Sequence, residues 1–143
     1  MAGDPFNLAR FVDAQSDGVY ERALGELSAG HKTSHWMWFI FPQIAGLGHS
    51  PTARFYALSS AGEARAYLAD PLLGTRLREC VAAMIAHRGQ RSDTILGGID
   101  AMKFRSSMTL FEAVADDPAP FADALAAFYD GMRDERTLEL LGR

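Results

Sequence analysis

The sequence has little cysteine, no long apolar run and no basic run. Its one cysteine, Cys80, excludes an intramolecular disulfide and a cysteine-based zinc cluster, which fits a reducing compartment. The longest strongly apolar run, Trp36–Phe41, has six residues, whereas a membrane helix needs roughly 20. Residues Met1 to Phe11 lack the basic and apolar pattern of a secretory signal. These absences predict a cytoplasmic protein without a membrane segment.

The charge balance is acidic. The chain has 14 Lys and Arg against 18 Asp and Glu, a formal net charge of −4. Nucleic-acid-binding domains usually present a basic face, so no nucleic-acid partner is predicted. Apolar residues make up 48 % and charged residues 22 % of the chain, which is typical of a globular protein. A length of 143 residues predicts one domain, residues 1–143.

Helix signals are frequent, and strand signals are missing. No segment alternates apolar and polar residues between hairpin turns. A capping side chain followed by proline, the preferred pair for a helix start, occurs at Asp4-Pro5, Ser50-Pro51, Asp70-Pro71 and Asp117-Pro118. Ser60 and Glu63 have capping-box spacing. An apolar stripe from Phe11 to Leu27 indicates one helix, or two with a break at Gly18. We predict an all-α, compact, multihelical single domain of eight or nine mostly short helices.

The aromatic run Trp36–Phe41 has two interpretations. Periodicity does not assign it, but Ser34 before it and Pro42 after it favour a buried two-turn helix. Its tryptophans would then be core residues. Alternatively Trp36 and Trp38 form a pocket wall that stacks on a base or sugar ring. In that case Gln43 would read a base edge, and His35 would lie at the edge of the pocket.

Two glycine-rich segments are candidates for ligand binding. In the first, Gly46 and Gly48 allow close approach of the backbone to a ligand, Ser50 begins a helix, and Arg54 could close on a phosphate or carboxylate. An ordinary turn with a helix cap and a surface arginine explains the same residues.

The second segment is Gly97–Ser107. Asp100 could act as a general base or orient a water, Lys103 could bind an anion, and Ser106 could contact the ligand. The structural alternative is that Asp100 caps a helix and that Ser106 and Ser107 start one.

No metal site or cofactor is predicted. His31 and His35 have the four-residue spacing of a pair of metal ligands on a helix, but Gly30 and Thr33 indicate a loop. No glutamate completes a His-Glu-x-x-His motif.

One string of residues is specific to a family. Gly30, Lys32 and the unbroken string Ser34–Gln43 are followed by Gly46-Leu47-Gly48 and Ser50. Further matches include Tyr56, Glu63-Ala64, Pro71-Leu72, Asp100, Lys103 and Ser106–Phe111. Over nearly its whole length the chain resembles the bacterial family called domain of unknown function 1810. The resemblance implies a compact helical domain and no known activity. Such sequences have also been called calpastatin, but no stretch resembles a repeat of that protease inhibitor.

A more distant resemblance is to the NADAR domains. It lies in Glu63-Ala64, Pro71-Leu72 and Arg76-Leu77, followed by Asp100 and Lys103-Phe104. It implies N-glycosidic chemistry on ADP-ribose or riboflavin-pathway compounds. The glutamate–histidine tract of those domains has no counterpart here, so no catalytic acid is carried over.

Three functions remain open. The first is a small enzyme that binds a phosphorylated, nucleoside-like ligand of the ADP-ribose type and hydrolyses an N-glycosidic bond. Asp100 and Lys103 would be its catalytic residues. The second is a non-catalytic module that binds a small anion or a peptide. The third is a partner-dependent structural protein that exposes the aromatic run on a dimer face. We expect a monomer or a small homo-oligomer.

Overall fold

The computed structural model describes residues 3–143, which form ten α-helices and no β-strand. The helices are α1 Ala9–Ala14, α2 Val19–Ala29, α3 Met37–Ile40, α4 Pro51–Tyr56, α5 Ala61–Ala69, α6 Pro71–Ile85, α7 Ser92–Leu96, α8 Gly98–Val114, α9 Ala119–Tyr129 and α10 Glu135–Leu140. The all-α prediction is confirmed. The helix that the sequence analysis missed is α7, because five residues are too few to show a periodic stripe. None of the ten has the length and apolar character needed to cross a membrane.

Three of the predicted helix starts are confirmed. The Ser50 hydroxyl accepts from the Ala53 N–H at 3.1 Å, with Pro51 as the first residue of α4. The Asp70 carboxylate accepts from the N–H groups of Leu72 and Leu73, the second and third residues of α6. Ser60 caps α5 by accepting from the Glu63 N–H. Because these bonds lie within four residues of sequence, capping chemistry alone predicts them.

Other predicted starts need correction. Asp4-Pro5 does not begin a helix: α1 starts at Ala9, whose N–H donates to the Asp4 carboxylate. After Asp117-Pro118, α9 starts one residue late, at Ala119. Gly18, with a φ of 83°, lies between α1 and α2. The apolar stripe from Phe11 to Leu27 therefore forms two helices and not one.

The aromatic run forms one helical turn, Met37–Ile40, instead of the expected two. Trp36 precedes the turn and Phe41 follows it, and both have φ and ψ angles outside the helical region. Trp36 and Phe41 are at most 1 % exposed and belong to the core, as predicted, whereas Trp38 and Phe39 are half-buried.

Helix α8 crosses the middle of the fold. It packs against α5, α7, α9 and α10. The prediction that Ser106 starts a helix is wrong, because α8 begins eight residues earlier. Nor does Asp100 cap it, since it is the third residue of α8, after the N-cap Gly97. The Phe104 ring packs edge-on against Phe41 at 4.7 Å. This contact joins the long helix to the aromatic run.

A half-buried carboxylate fixes the loop between α2 and α3. Glu26 accepts hydrogen bonds from the N–H groups of Thr33 and Ser34, the Ser34 hydroxyl and Trp36 Nε1. Burial opposes ionisation of this carboxyl, but the hydrogen bonds outweigh it and lower the pKa of Glu26 to about 2. The ionised form therefore holds Trp36 in place.

A buried ion pair fixes the other end of the fold. All five N–H donors of Arg10 are used: four donate to the carbonyls of Phe6, Asn7, Phe55 and Ala57, and the fifth to Glu63 Oε2. The Arg10 and Glu63 side chains are 9 % and 3 % exposed. The second oxygen of Glu63 accepts from the N–H and hydroxyl of Ser59. The pair thus ties α1 to the end of α4 and the start of α5.

We predict that Arg10→Met lowers the free energy of unfolding by about 3–5 kcal/mol, because it leaves the Glu63 carboxylate buried without its partner. Urea denaturation measures the loss. The control is Arg91→Met, since the Arg91–Asp93 pair is exposed and its removal should leave stability unchanged. A loss below about 1 kcal/mol for Arg10→Met would contradict this role.

The second prediction concerns pH. The carboxyl of Glu26 ionises more readily in the folded than in the unfolded chain, so its stabilisation is complete above about pH 4.5 and is lost as the pH falls towards 2. Glu26→Gln should cost about 1–2 kcal/mol at pH 7, reduced by partial solvent screening, and progressively less at pH 4 and pH 3. Urea denaturation at the three pH values compares it with wild type. The exposed Glu21→Gln is the control, and a pH-independent cost for Glu26→Gln would contradict the assignment.

Candidate functional site

The candidate ligand site is a mainly apolar cleft with a volume of about 300 Å³. We call it the Trp38 cleft. Four segments form it: the aromatic run with the residues after it, helix α4, one face of α8 and the start of α10. Its lining residues are Trp38, Gln43, Ile44, Leu47, Gly48, Ala53, Tyr56, Ala57, Ile99, Met102, Lys103, Ser106 and Asp134. Most are apolar, and four carry polar side chains, which is the usual make-up of a small-molecule site.

The cation of the cleft lies on an aromatic face. Lys103 Nζ is 3.7 Å from the centroid of the Trp38 ring. It is also 3.4 Å from Asp100 Oδ1. The second oxygen of Asp100 is 2.8 Å from Lys32 Nζ. One carboxylate is therefore shared by two ammonium groups, and one of these lines the cleft.

The glycine-rich loop is held rigidly beside α4. The Gln43 carbonyl accepts from the Leu58 N–H at 2.9 Å, and the Ala45 N–H donates to the Leu58 carbonyl at 2.8 Å. At Gly48 a β-carbon would lie 2.6 Å from the Ala53 β-carbon, so only glycine fits. The Gln43 carboxamide makes no hydrogen bond to residues 3–143 and is available to a ligand.

Asp134 contributes the carboxylate of the cleft. Its Oδ2 caps α10 by accepting from the N–H and hydroxyl of Thr137. The Ser106 hydroxyl on α8 lies 3.0 Å from the same oxygen. The Asp134 N–H donates to Thr109 Oγ1 at 2.9 Å. Within the described chain Oδ1 accepts no hydrogen bond, so this oxygen can take a donor from a ligand.

The structure brings some of the predicted site residues together and separates others. Those lining the Trp38 cleft are Trp38, Gln43, Gly48, Lys103 and Ser106. Those outside it are His35, Trp36, Gly46, Ser50, Arg54 and Asp100.

The residues outside the cleft have identifiable roles or are exposed. Trp36 is 1 % exposed and belongs to the core. Gly46 has a φ of 105° and packs against Leu140. Ser50 caps α4. His35 and Arg54 are exposed on the surface.

Asp134 is the cleft residue that the sequence analysis missed as a site candidate. Its side chain caps α10 and also contacts a residue 28 positions earlier, Ser106. Two apolar side chains of α8 were missed as well. Ile99 and Met102 line the cleft and are 74 % and 72 % exposed. Only their exposure marks these two side chains as site candidates, and exposure is known only from the folded structure.

Among residues 3–143, no three His, Cys, Asp or Glu side chains cluster closely enough to hold a metal ion. The Cys80 thiol is 1 % exposed, and burial raises its pKa to about 12. It is therefore an inert core side chain and not a nucleophile.

Comparison with known families assigns the chain. A family model described as "Protein of unknown function (DUF1810)" matches residues 5–141. The chain belongs to the DUF1810 family. Comparison with curated proteins gives no match.

A solved structure has the same fold as this DUF1810 chain. It is the crystal structure of the conserved hypothetical protein Rv1873 from Mycobacterium tuberculosis, at 48 % sequence identity and a TM-score of 0.95. The match covers 98 % of this chain and 99 % of that one. Neither description names an activity.

We predict that Asp134→Ala destabilises the protein by about 1 kcal/mol or slightly more, because it removes the α10 cap and leaves the Ser106 hydroxyl without this acceptor. Thermal unfolding measures the loss. Asp134→Asn is the matched variant: it retains a capping oxygen and should cost less than half as much. Equal losses in the two variants would show that the negative charge, and not the cap, is what matters.

Proposed function

We propose that this DUF1810 protein binds a small planar ligand that carries an anionic group. The observation that carries the proposal is the Lys103 ammonium 3.7 Å from the centroid of the Trp38 ring, inside a mostly apolar cleft. A ring in the cleft would contact Trp38 and Tyr56, and its anionic group would take a charge-assisted hydrogen bond from Lys103.

The apolar rim supports this proposal. Ile99 and Met102 are about three-quarters exposed, although core residues dominate the rest of α8. Exposed apolar area beside a cleft favours a ligand that covers it. A volume of about 300 Å³ suits a compound of nucleoside size.

A phosphorylated, nucleoside-like compound of the ADP-ribose type is the ligand class we favour. The Gln43 carboxamide can donate to and accept from a base edge. Lys103, expected from the sequence to bind an anion, would contact the phosphate in place of the loop of Gly46, Gly48, Ser50 and Arg54. Ser50 uses its hydroxyl for the helix cap, and Arg54 lies outside the cleft.

Hydrolysis of an N-glycosidic bond is a second candidate function. Asp100, the base expected from the sequence, directs both oxygens at lysines, so it is poorly placed to accept a proton. The observation that favours hydrolysis is Asp134, whose Oδ1 is free within the described chain. Its Oδ2 caps α10. Because neither carboxylate has both oxygens free, we favour binding without catalysis. The dimer-face function has less support, because the aromatic run is largely buried within one chain.

We predict that AMP and ADP-ribose raise the melting temperature of the wild-type protein and that adenosine does so less. A ligand at 100 times its Kd adds about 2.7 kcal/mol, which is several degrees for a domain of this size. Lys103→Met should abolish the difference between AMP and adenosine. Arg54→Met is the matched control and should leave it intact, because that cation lies outside the cleft.

The opposite pattern would return the anion site to the glycine-rich loop: loss with Arg54→Met and no effect of Lys103→Met. Chromatography of ADP-ribose after incubation tests hydrolysis separately. Product formation that Asp134→Asn abolishes would establish the enzyme. A flat thermal-shift screen with these ligands and with simple anions would overturn the proposed function.

A further inference from the structure

Two lysines compete for one carboxylate beside the Trp38 cleft. Asp100 lies in the first turn of α8 with 18 % of its side chain exposed. Lys32 holds one oxygen at 2.8 Å, and Lys103 approaches the other at 3.4 Å. Lys32 is therefore the closer partner and Lys103 the looser one.

Lys32 is held more firmly than Lys103. The Lys32 side chain is 8 % exposed, and its ammonium lies 5.1 Å from the centroid of the Trp36 ring. The backbone N–H of Lys32 donates to the Ile95 carbonyl at 2.8 Å. The loop that carries Lys32 leads into the segment held by Glu26. A buried ammonium on a fixed backbone needs its carboxylate, so this pair is permanent.

We infer that Lys32, which does not line the cleft, keeps Lys103 available to an anion. By occupying Asp100, it prevents that carboxylate from closing on Lys103 with both oxygens. Lys103 then rests on the Trp38 ring with donors to spare. Asp100 acts as a positioning residue on the side away from the ligand. The inference rests on the proposed function and deepens it by naming what sets the anion affinity of the site.

Substitution of Lys32 should therefore change the anion affinity of the cleft, although Lys32 does not line it. In Lys32→Met, Asp100 loses its first partner, pairs fully with Lys103 and draws it off the Trp38 ring. In Lys32→Met with Asp100→Asn, no carboxylate competes, and Lys103 returns to the ring. The carboxylate that lines the cleft, Asp134, is the same in every variant, so it does not affect the comparison.

The test uses AMP as the probe and isothermal titration of the whole protein. We expect Lys32→Met to weaken AMP binding about tenfold, the loss of one charge-assisted contact. The double variant should recover to within about threefold of wild type. Lys32→Arg keeps the cation and should bind as wild type does. Denaturant unfolding of each variant shows that it is folded. If the double variant stays as weak as Lys32→Met, Lys32 has a structural role only and the inference is wrong.

A second measurement needs no ligand. Protons above an indole ring shift upfield in NMR spectra, so the terminal methylene protons of Lys103 report its position over Trp38. We expect the upfield shift in wild type, its loss in Lys32→Met and its return in the double variant. An unchanged shift in Lys32→Met would overturn the inference. If AMP fails to bind wild type while the shifts follow this pattern, the proposed function fails and the positioning of Lys103 stands.

Discussion

The fold depends on the guanidinium of Arg10 more than on any other polar group. Its five donors end on four backbone carbonyls and one buried carboxylate. Two of those carbonyls belong to Phe55 and Ala57, at the end of α4, a helix too short to be stable by itself. Ala53, Tyr56 and Ala57 form one wall of the Trp38 cleft. A polar contact on the far side of α4 therefore sets the shape of the site.

Short helices make such contacts necessary. Each helix end leaves backbone donors or carbonyls unsatisfied, and ten helices in 141 described residues have many ends. Glu26, Glu63 and Asp134 each satisfy several donors from a loop or a helix start. Asp134 precedes α10, whereas Glu26 and Glu63 lie within α2 and α5 and bind the neighbouring loop. The hydrophobic core supplies the burial, while these carboxylates hold particular loops against particular helices.

The sequence predicts what is local and misses what is brought together from far apart. Capping at Ser50, Ser60 and Asp70 was predictable because donor and acceptor are neighbours in the chain. The site was not, since α8 and α10 approach the glycine-rich loop only in the folded chain. Trp36 and Trp38 illustrate the limit. They are two residues apart, yet one is core and the other lines the cleft. Their separation depends on a single helical turn that periodicity could not assign.

The distribution of charge favours recognition over catalysis in the Trp38 cleft. A general base needs an oxygen that is free to accept a proton, and a good binding site needs groups fixed before the ligand arrives. Asp100 directs its two oxygens at two lysines, and Asp134 gives one of its own to a helix cap. The Lys103 ammonium pairs with Asp100 and lies on the face of the Trp38 ring. These contacts make the two carboxylates less able to act as general bases. They also reduce the side-chain entropy that would be lost on ligand binding. The proposed anion would therefore meet a cation that Asp100 and Trp38 already position.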